Sequence, residues 1–306
     1  MLNDEVSQIH LDFSVLRISN TIQQSMLDIK NQNTSVLKFF GIGLLCLLVF
    51  LTFFPFVFML ITSFKSVFQF YHSFWSPTLP LHFENYSVVF PIIFQYILNS
   101  VIVTIASVTG IVFLGALSGF VFARFSFPGK KILFYGVIGL MMVPWILTLV
   151  PSFMVVKRLN LLDTYWVMIL PFISGGQVLA IYIFHSFFVT LPEELFESAR
   201  LDGAGYFQQF WYIGAAMSRP VFGLVAIISS LAVWNNFIWP LVTTTDDKIT
   251  VLTVGVLRFS VSYSYGNMNY GELFAGYTIA SIPLLLIFLV ATKQFMRGIT
   301  AGALKG

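Results

Sequence analysis

Charge is what this sequence has least of. Only 9% of its 306 residues are Asp, Glu, Lys or Arg, against about a quarter in an ordinary soluble chain. A soluble domain must cover its surface with polar groups, and this chain has too few. An ordinary soluble enzyme and a disordered chain are therefore excluded. Cysteine is nearly missing too. Cys46 stands alone, so no internal disulfide and no cysteine metal cluster can be built. The formal net charge of +3 is too small to argue for nucleic acid. No Gly-x4-Gly-Lys-Ser/Thr string occurs, so the chain has no phosphate cradle of that kind.

What the chain does have is apolar length. Hydrophobic residues make up 58% of it, with 35 phenylalanines. Six stretches carry no Asp, Glu, Lys or Arg: 39–64, 85–123, 132–156, 164–192, 220–245 and 273–292. A spanning helix needs roughly 20 such residues. The expectation is an all-α membrane protein of six transmembrane helices. The runs are continuous rather than alternating, which argues against a β-barrel. The second run exceeds one helix. Asn85, Tyr86, Ser87 and Pro91 suggest an interfacial segment first, with the span near 96–119. These runs hold one histidine, His185, and no carboxylate. Intramembrane hydrolysis or acid–base chemistry lacks its parts.

Six spans put both termini on one side. That side would hold 11 of the cations, from Arg17, Lys30 and Lys38 through Arg124, Lys130, Lys131, Arg200 and Arg219 to Lys293, Arg297 and Lys305. The other would hold 5: Lys65, Lys157, Arg158, Lys248 and Arg258. The positive-inside rule places both termini in the cytoplasm. The first 36 residues are polar and mixed in charge, with no expected cleaved leader. Val15, Ile18, Ile22, Met26 and Ile29 recur there at helical spacing. An amphipathic helix on the membrane, a partner-docking helix and disorder all remain open.

The densest charge lies between the fourth and fifth runs, at 191–205 (LPEELFESARLDGAG). Pro192 suits a first helical position. Glu193, Glu194 and Glu197 complement a helix N-terminus, and Asp202-Gly203 reads as a turn. A second helical stretch, 206–213, leads back to the membrane. This is either a solvated hairpin or a cytoplasmic docking helix for a protein that supplies energy.

Glu197-Ser198-Ala199 followed by Gly203 resembles the Glu-Ala-Ala-x3-Gly loop of ATP-binding-cassette importer permeases. The string 191–220 is similar to the carbohydrate branch of the maltose/maltodextrin type, in its smaller second permease. Three more segments agree in order. They are Asn99-Ser100-Val101-Ile102-Val103 with Ala123-Arg124-Phe125-Ser126-Phe127-Pro128-Gly129, then Trp234-Asn235-Asn236-Phe237-Ile238-Trp239-Pro240, then the ending 297–306. The likeness covers about residues 40–306. Departures are Ser198 where Ala is frequent, Ala215-Ala216 where Leu-Pro is usual, and Asn236 where an acidic residue is common.

The resemblance implies a six-helix permease domain at 37–306 of the type I importer architecture. It implies a coupling loop at 190–216 and a C-terminal tail at 295–306, with residues 1–36 outside it. ATPase coupling would involve Glu193, Glu194, Glu197, Ser198, Ala199, Asp202 and Gly203, with tail contacts from Thr300, Gly302 and Lys305. Trp234, Asn235 and Asn236 would line the substrate pathway; interhelical hydrogen bonding and an interfacial belt are the alternatives. This chain would bind no cofactor, and ATP and Mg would sit on the partner ATPase. The implied partners are a second, different permease, two ATPase subunits, an external sugar-binding protein and the bilayer. The function implied is sugar import, of an oligosaccharide, across a bacterial or archaeal cell membrane, without enzyme activity of its own. A non-sugar solute such as a phosphodiester, or secondary transport, is the alternative. Gly115 and Gly119 read as a helix-packing motif. Pro144, Pro151 and Pro171 read as kinks, and His185 as a snorkelling or helix-end residue, with a proton relay as the alternative.

Overall fold

A computed structural model describes residues 38–265 and 269–303, with side chains described over 38–263 and 269–289. The expected amphipathic segment at 1–36 lies outside the described residues. The chain divides into two units, 1–59 and 60–306. The first contributes most of helix α1, Lys38–Thr62. Its side chains are largely exposed Phe, Leu and Val, suited to hydrocarbon rather than water.

The second unit is helical throughout its described regular structure. Its elements are α2 (Val67–His72), α3 (Glu84–Arg124), α4 (Lys130–Gly139), α5 (Trp145–Arg158), α6 (Trp166–Phe188) and α7 (Glu194–Leu201). Then come α8 (Tyr206–Gln208), α9 (Arg219–Trp234), α10 (Ile238–Thr243), α11 (Leu252–Tyr265) and α12 (Tyr270–Ala303). A 3-10 turn, Leu140–Met142, prolongs α4, and a π-helical turn, Gln209–Ala215, prolongs α8. Four helical stretches are each long and apolar enough to cross a membrane: α1, α3, α6 and Tyr270–Leu289 of α12.

Two expected spans are not single helices. The run 132–156 breaks at Val143-Pro144, and its two arms meet at 103°. Pro144 is extended and precedes α5; it has no N–H to continue α4 and disfavours helix at Val143. The run 220–245 is α9 followed by a break at 235–237 and the short α10. The stretch 206–215 meets α9 at 82°. Conversely, the expected separate segment before residue 96 is part of one continuous helix. α3 runs 41 residues straight through Pro91. Pro151 and Pro171 likewise sit inside unbroken helices.

The pair α3–α6 is the spine of the unit. A Cβ added at Gly115 would stand 2.6 Å from Ala180 Cβ, and one at Gly119 would stand 2.7 Å from Phe184 Cβ. The absence of side chains at these positions lets the two backbones meet, as expected from Gly115-x3-Gly119. Two apolar cores flank this contact. One gathers Phe120, Phe184, Phe188, Phe196 and Phe210. The other gathers Val89, Ile93, Tyr96, Trp234, Phe259 and Ala275.

Candidate coupling and translocation site

α7 starts two residues after Pro192, with Glu193 at its N-cap. Its eight residues are too few to hold a helix unaided, and its stability comes from what it is seated on. Phe196 is buried and packs on Phe120 at 6.0 Å between ring centroids. Arg124, the last residue of α3, reaches across to the loop. One terminal nitrogen donates to Glu193 Oε2 at 2.7 Å, and the other donates to the Leu191 carbonyl at 2.6 Å. The guanidinium carbon lies 4.2 Å from the Phe196 ring centroid. Arg200 donates to the other Glu193 oxygen at 2.9 Å.

The opposite side of α7 is open. Glu194, Glu197, Ser198 and Asp202 are exposed, Ala199 is half-buried, and Leu201 is 90% exposed. The Glu197 carboxylate lies 4.0 Å from Arg200. Gly203 ends the helix with φ +82°, a conformation glycine adopts without the penalty that a Cβ brings. The π-turn follows, and Ala215-Ala216 carry the helix onward where a proline would have stopped it. The bend falls later, at Ser218, whose hydroxyl donates to Gly214 O at 2.6 Å.

A cavity of about 500 Å³ lies among α3, α5, α6 and α9. Its wall is mostly apolar, with Thr148, Ser152, Ser174, Ser229 and Asn236 as polar points, and Trp145 and Trp239 as indoles. Of the three pathway residues expected from sequence, only Asn236 lines it. Asn236 Oδ1 accepts from Trp239 N at 3.2 Å, and its carbonyl accepts from Thr253 Oγ1 at 2.9 Å. Asn235 is exposed and donates back to Leu231 O. Trp234 is buried in the second core, away from the cavity. Trp239 is held in place by its indole N–H, which donates to Val167 O at 2.8 Å.

Beyond the cavity, residues 243–251 are fastened from two sides. Asp163 accepts from the Thr245 hydroxyl at 2.8 Å and from the Thr245 and Asp246 amides. The Thr245 amide, then the Asp246 amide, hold its carboxyl below the usual carboxylate range. Asn99 is buried and donates to Lys248 O and Thr250 O at 2.9 and 2.8 Å, while accepting from Tyr165 OH at 2.7 Å. Ser100 Oγ accepts from Leu252 N at 2.7 Å. His185 lies in the last turn of α6, its ring 4.1 Å from Phe134. Thr300 and Gly302 fall in the final turns of α12, where a flexible tail was expected and the backbone is helical through Ala303. Lys305 lies outside the described residues.

Residues 111–301 match the family described as binding-protein-dependent transport system inner membrane component. The chain belongs to that family. It is 33% identical over 255 residues to the diacetylchitobiose uptake system permease protein NgcG of Streptomyces coelicolor, covering 82% of this chain and 83% of that one. It is 35% identical over 229 residues to the arabinooligosaccharides transport system permease protein AraQ of Bacillus subtilis, covering 74% and 80%. The fold matches a crystal structure of a bacterial ABC transporter involved in the import of the acidic polysaccharide alginate. The TM-score is 0.69 at 16% sequence identity, over 84% of this chain and 96% of that one.

As an inner-membrane permease component of an ABC importer, the chain is a transport subunit and not an enzyme. It binds no cofactor itself; ATP and Mg act through the ATPase subunits. Membership of the family brings a partner permease, ATPases and a solute-binding protein. Sequence reasoning missed that Arg124 contacts the α7 loop, seeing it only as a positive-inside charge and a motif letter. It also missed the serines and Trp145 of the cavity. Arg124 and Glu193 are 69 residues apart, and no local pattern joins them.

Proposed function

We propose that this permease carries a neutral oligosaccharide inward, paired with a second, different permease, and that α7 is the element an ATPase grips. The observation that supports this reading most is the two-sidedness of α7. One side is locked to α3 through Phe196 and Glu193, while Glu194, Glu197, Ser198, Leu201 and Asp202 face outward. A short helix built this way suits a cleft in a partner and passes a rigid push to the spans on either side. The cavity favours a sugar. It offers hydroxyls, one amide and two indoles to a ligand, and no charge, which suits hydroxylated rings better than a phosphodiester. The names of the relatives, two oligosaccharide systems, agree with it. In this reading the bent pairs complete six spans, both termini are cytoplasmic, and Thr300, Gly302 and Lys305 lie toward the ATPase interface.

The test is uptake by vesicles holding the whole complex, offered labelled diacetylchitobiose, an arabino-oligosaccharide and a glycerol phosphodiester in turn. Uptake of either sugar over the phosphodiester supports the reading, and the reverse order refutes it. Topology is checked in a Cys46→Ser background. Ser262→Cys should label from outside and Gln208→Cys from inside; labelling of both from one side would sink the six-span arrangement.

A further inference from the structure

We propose that Arg124 is the strut through which movement of α7 enters the α3–α6 pair and reaches the cavity wall. The proposal rests on the reading of α7 as the ATPase-gripped element. Three observations carry it. First, Arg124 is 11% exposed while Glu193 is 51% exposed, so the arginine is the fixed end of the link and the carboxylate the reachable end. Second, its contacts are of three kinds on one loop: a charge-assisted bond to Glu193, a bond to the Leu191 carbonyl, and the face of Phe196. A planar fork fixes direction as well as distance, which a single ammonium cannot do. Third, Arg124 Nε is buried and has no hydrogen-bond partner among the described residues. An unpaired buried donor lowers stability, so retention of a buried guanidinium here fits a positioning role better than a purely stabilising one.

The onward path is short. Arg124 is on the same helix as Gly119 and Gly115, the points where α3 meets Phe184 and Ala180 of α6. Ala180 and Ile111, one on each helix, line the cavity. Displacement of α7 therefore pulls the inner end of a packed pair whose middle forms the cavity wall. Glu193 shares its two oxygens between Arg124 and Arg200, so it joins the body of α7 to α3. Arg124 is on this account a positioning residue, acting on the cavity through α3.

The experiment reads the cavity directly, without needing the natural solute. The complete complex is prepared in a Cys46→Ser, Ser174→Cys background, with Ser174 chosen because it is exposed to the cavity. Labelling by a small thiol reagent is timed with and without ATP plus vanadate. The parent should show a nucleotide-dependent change in rate. Arg124→Gln and Glu193→Gln should each reduce that change by about tenfold, the size expected for one charge-assisted contact, with the ATPases still co-purifying. The double variant should lose less than the sum of the two single losses, since each single variant already removes the Arg124–Glu193 link. Arg124→Lys keeps the charge without the fork; it should lose part of the response, and it serves as the test where Arg124→Gln does not accumulate. A full response in either arginine variant, or additive losses in the double variant, overturns the proposal. So does loss of the ATPases from Arg124→Gln with full response in Arg124→Lys, which would make Arg124 part of the docking surface. Glu197→Lys separates the underlying reading. If it retains ATPase binding and full response, α7 is not the gripped element.

Discussion

Gly119→Ala adds one methyl group at a close approach of α3 and α6 where backbone as well as side chain obstructs it. The new Cβ would stand 2.7 Å from Phe184 Cβ and 2.9 Å from the His185 backbone nitrogen. Carbon atoms rest at about 3.5–4.0 Å, so the helices must part by about 1 Å. One of the two obstructions is backbone, which no side-chain rotation relieves. Overpacking of this kind costs about 1–3 kcal/mol, offset by about 1 kcal/mol from alanine's better helix propensity. The net is about 0–2 kcal/mol of destabilisation. Gly136→Ala is the matched control. Gly136 is in α4 with no atom within 4 Å of the added Cβ, so it should gain up to about 1 kcal/mol. Thermal unfolding of the purified complex in detergent compares the two variants under one condition. Gly119→Ala should melt several degrees below Gly136→Ala, at about 2–4 °C per kcal/mol. Equal or higher stability for Gly119→Ala would refute the account of α3–α6 as a zipper closed by missing side chains.

Three other outcomes are expected. Gly203→Val places a β-branched residue at φ +82° and should cost about 1–2 kcal/mol locally; the complex should insert normally but lose stimulated ATPase activity, measured in vesicles. Asn236→Leu and Ser229→Leu remove polar points from the cavity and should lower sugar uptake at unchanged complex yield, whereas Asn235→Leu, outside the cavity, should leave uptake near the parent's. Asp163 has its carboxyl held below the usual value by bonds made to the ionised form. Those bonds are complete above about pH 4, the unfolded value, and are lost as pH falls through the lower folded value. Hydrogen exchange of residues 243–251, corrected for its intrinsic pH dependence, should be flat from pH 5 to 8 and rise only in stronger acid, while Asp163→Asn should raise it at pH 7.

The chain's class was readable because composition decides it: with so few charges, the six long apolar runs have no soluble alternative. The Gly115–Gly119 contact was readable because its spacing is local to one helix. The breaks within 132–156 and 220–245 were harder. Pro144 ends a helix while Pro91, Pro151 and Pro171 are accommodated within helices; a proline's effect depends on whether its neighbours absorb the lost hydrogen bond, and sequence does not display neighbours. Trp234 and Trp239 show the same limit. They are five residues apart, but a break in the helix between them sends Trp234 into the second core and Trp239 into the first, against the cavity. Arg124 was hidden by distance along the chain rather than by its chemistry.

α3 is about 60 Å long at 1.5 Å per residue, about twice the hydrocarbon thickness. It is fastened at both ends. Toward its N-terminal end, Asn85 donates to Ser63 O and Lys65 O, and Asn99 holds the 248–250 stretch of the loop. At its C-terminal end, Arg124 holds α7. A rod tied at both ends cannot report in one direction only. Thermodynamic linkage requires that any factor by which nucleotide alters the complex's affinity for its external solute-binding protein be matched by an equal factor in the opposite sense of travel. Under the proposed coupling role of α7, occupancy of the far surface must then appear as a change in nucleotide affinity, and α3 would sense supply as well as deliver force.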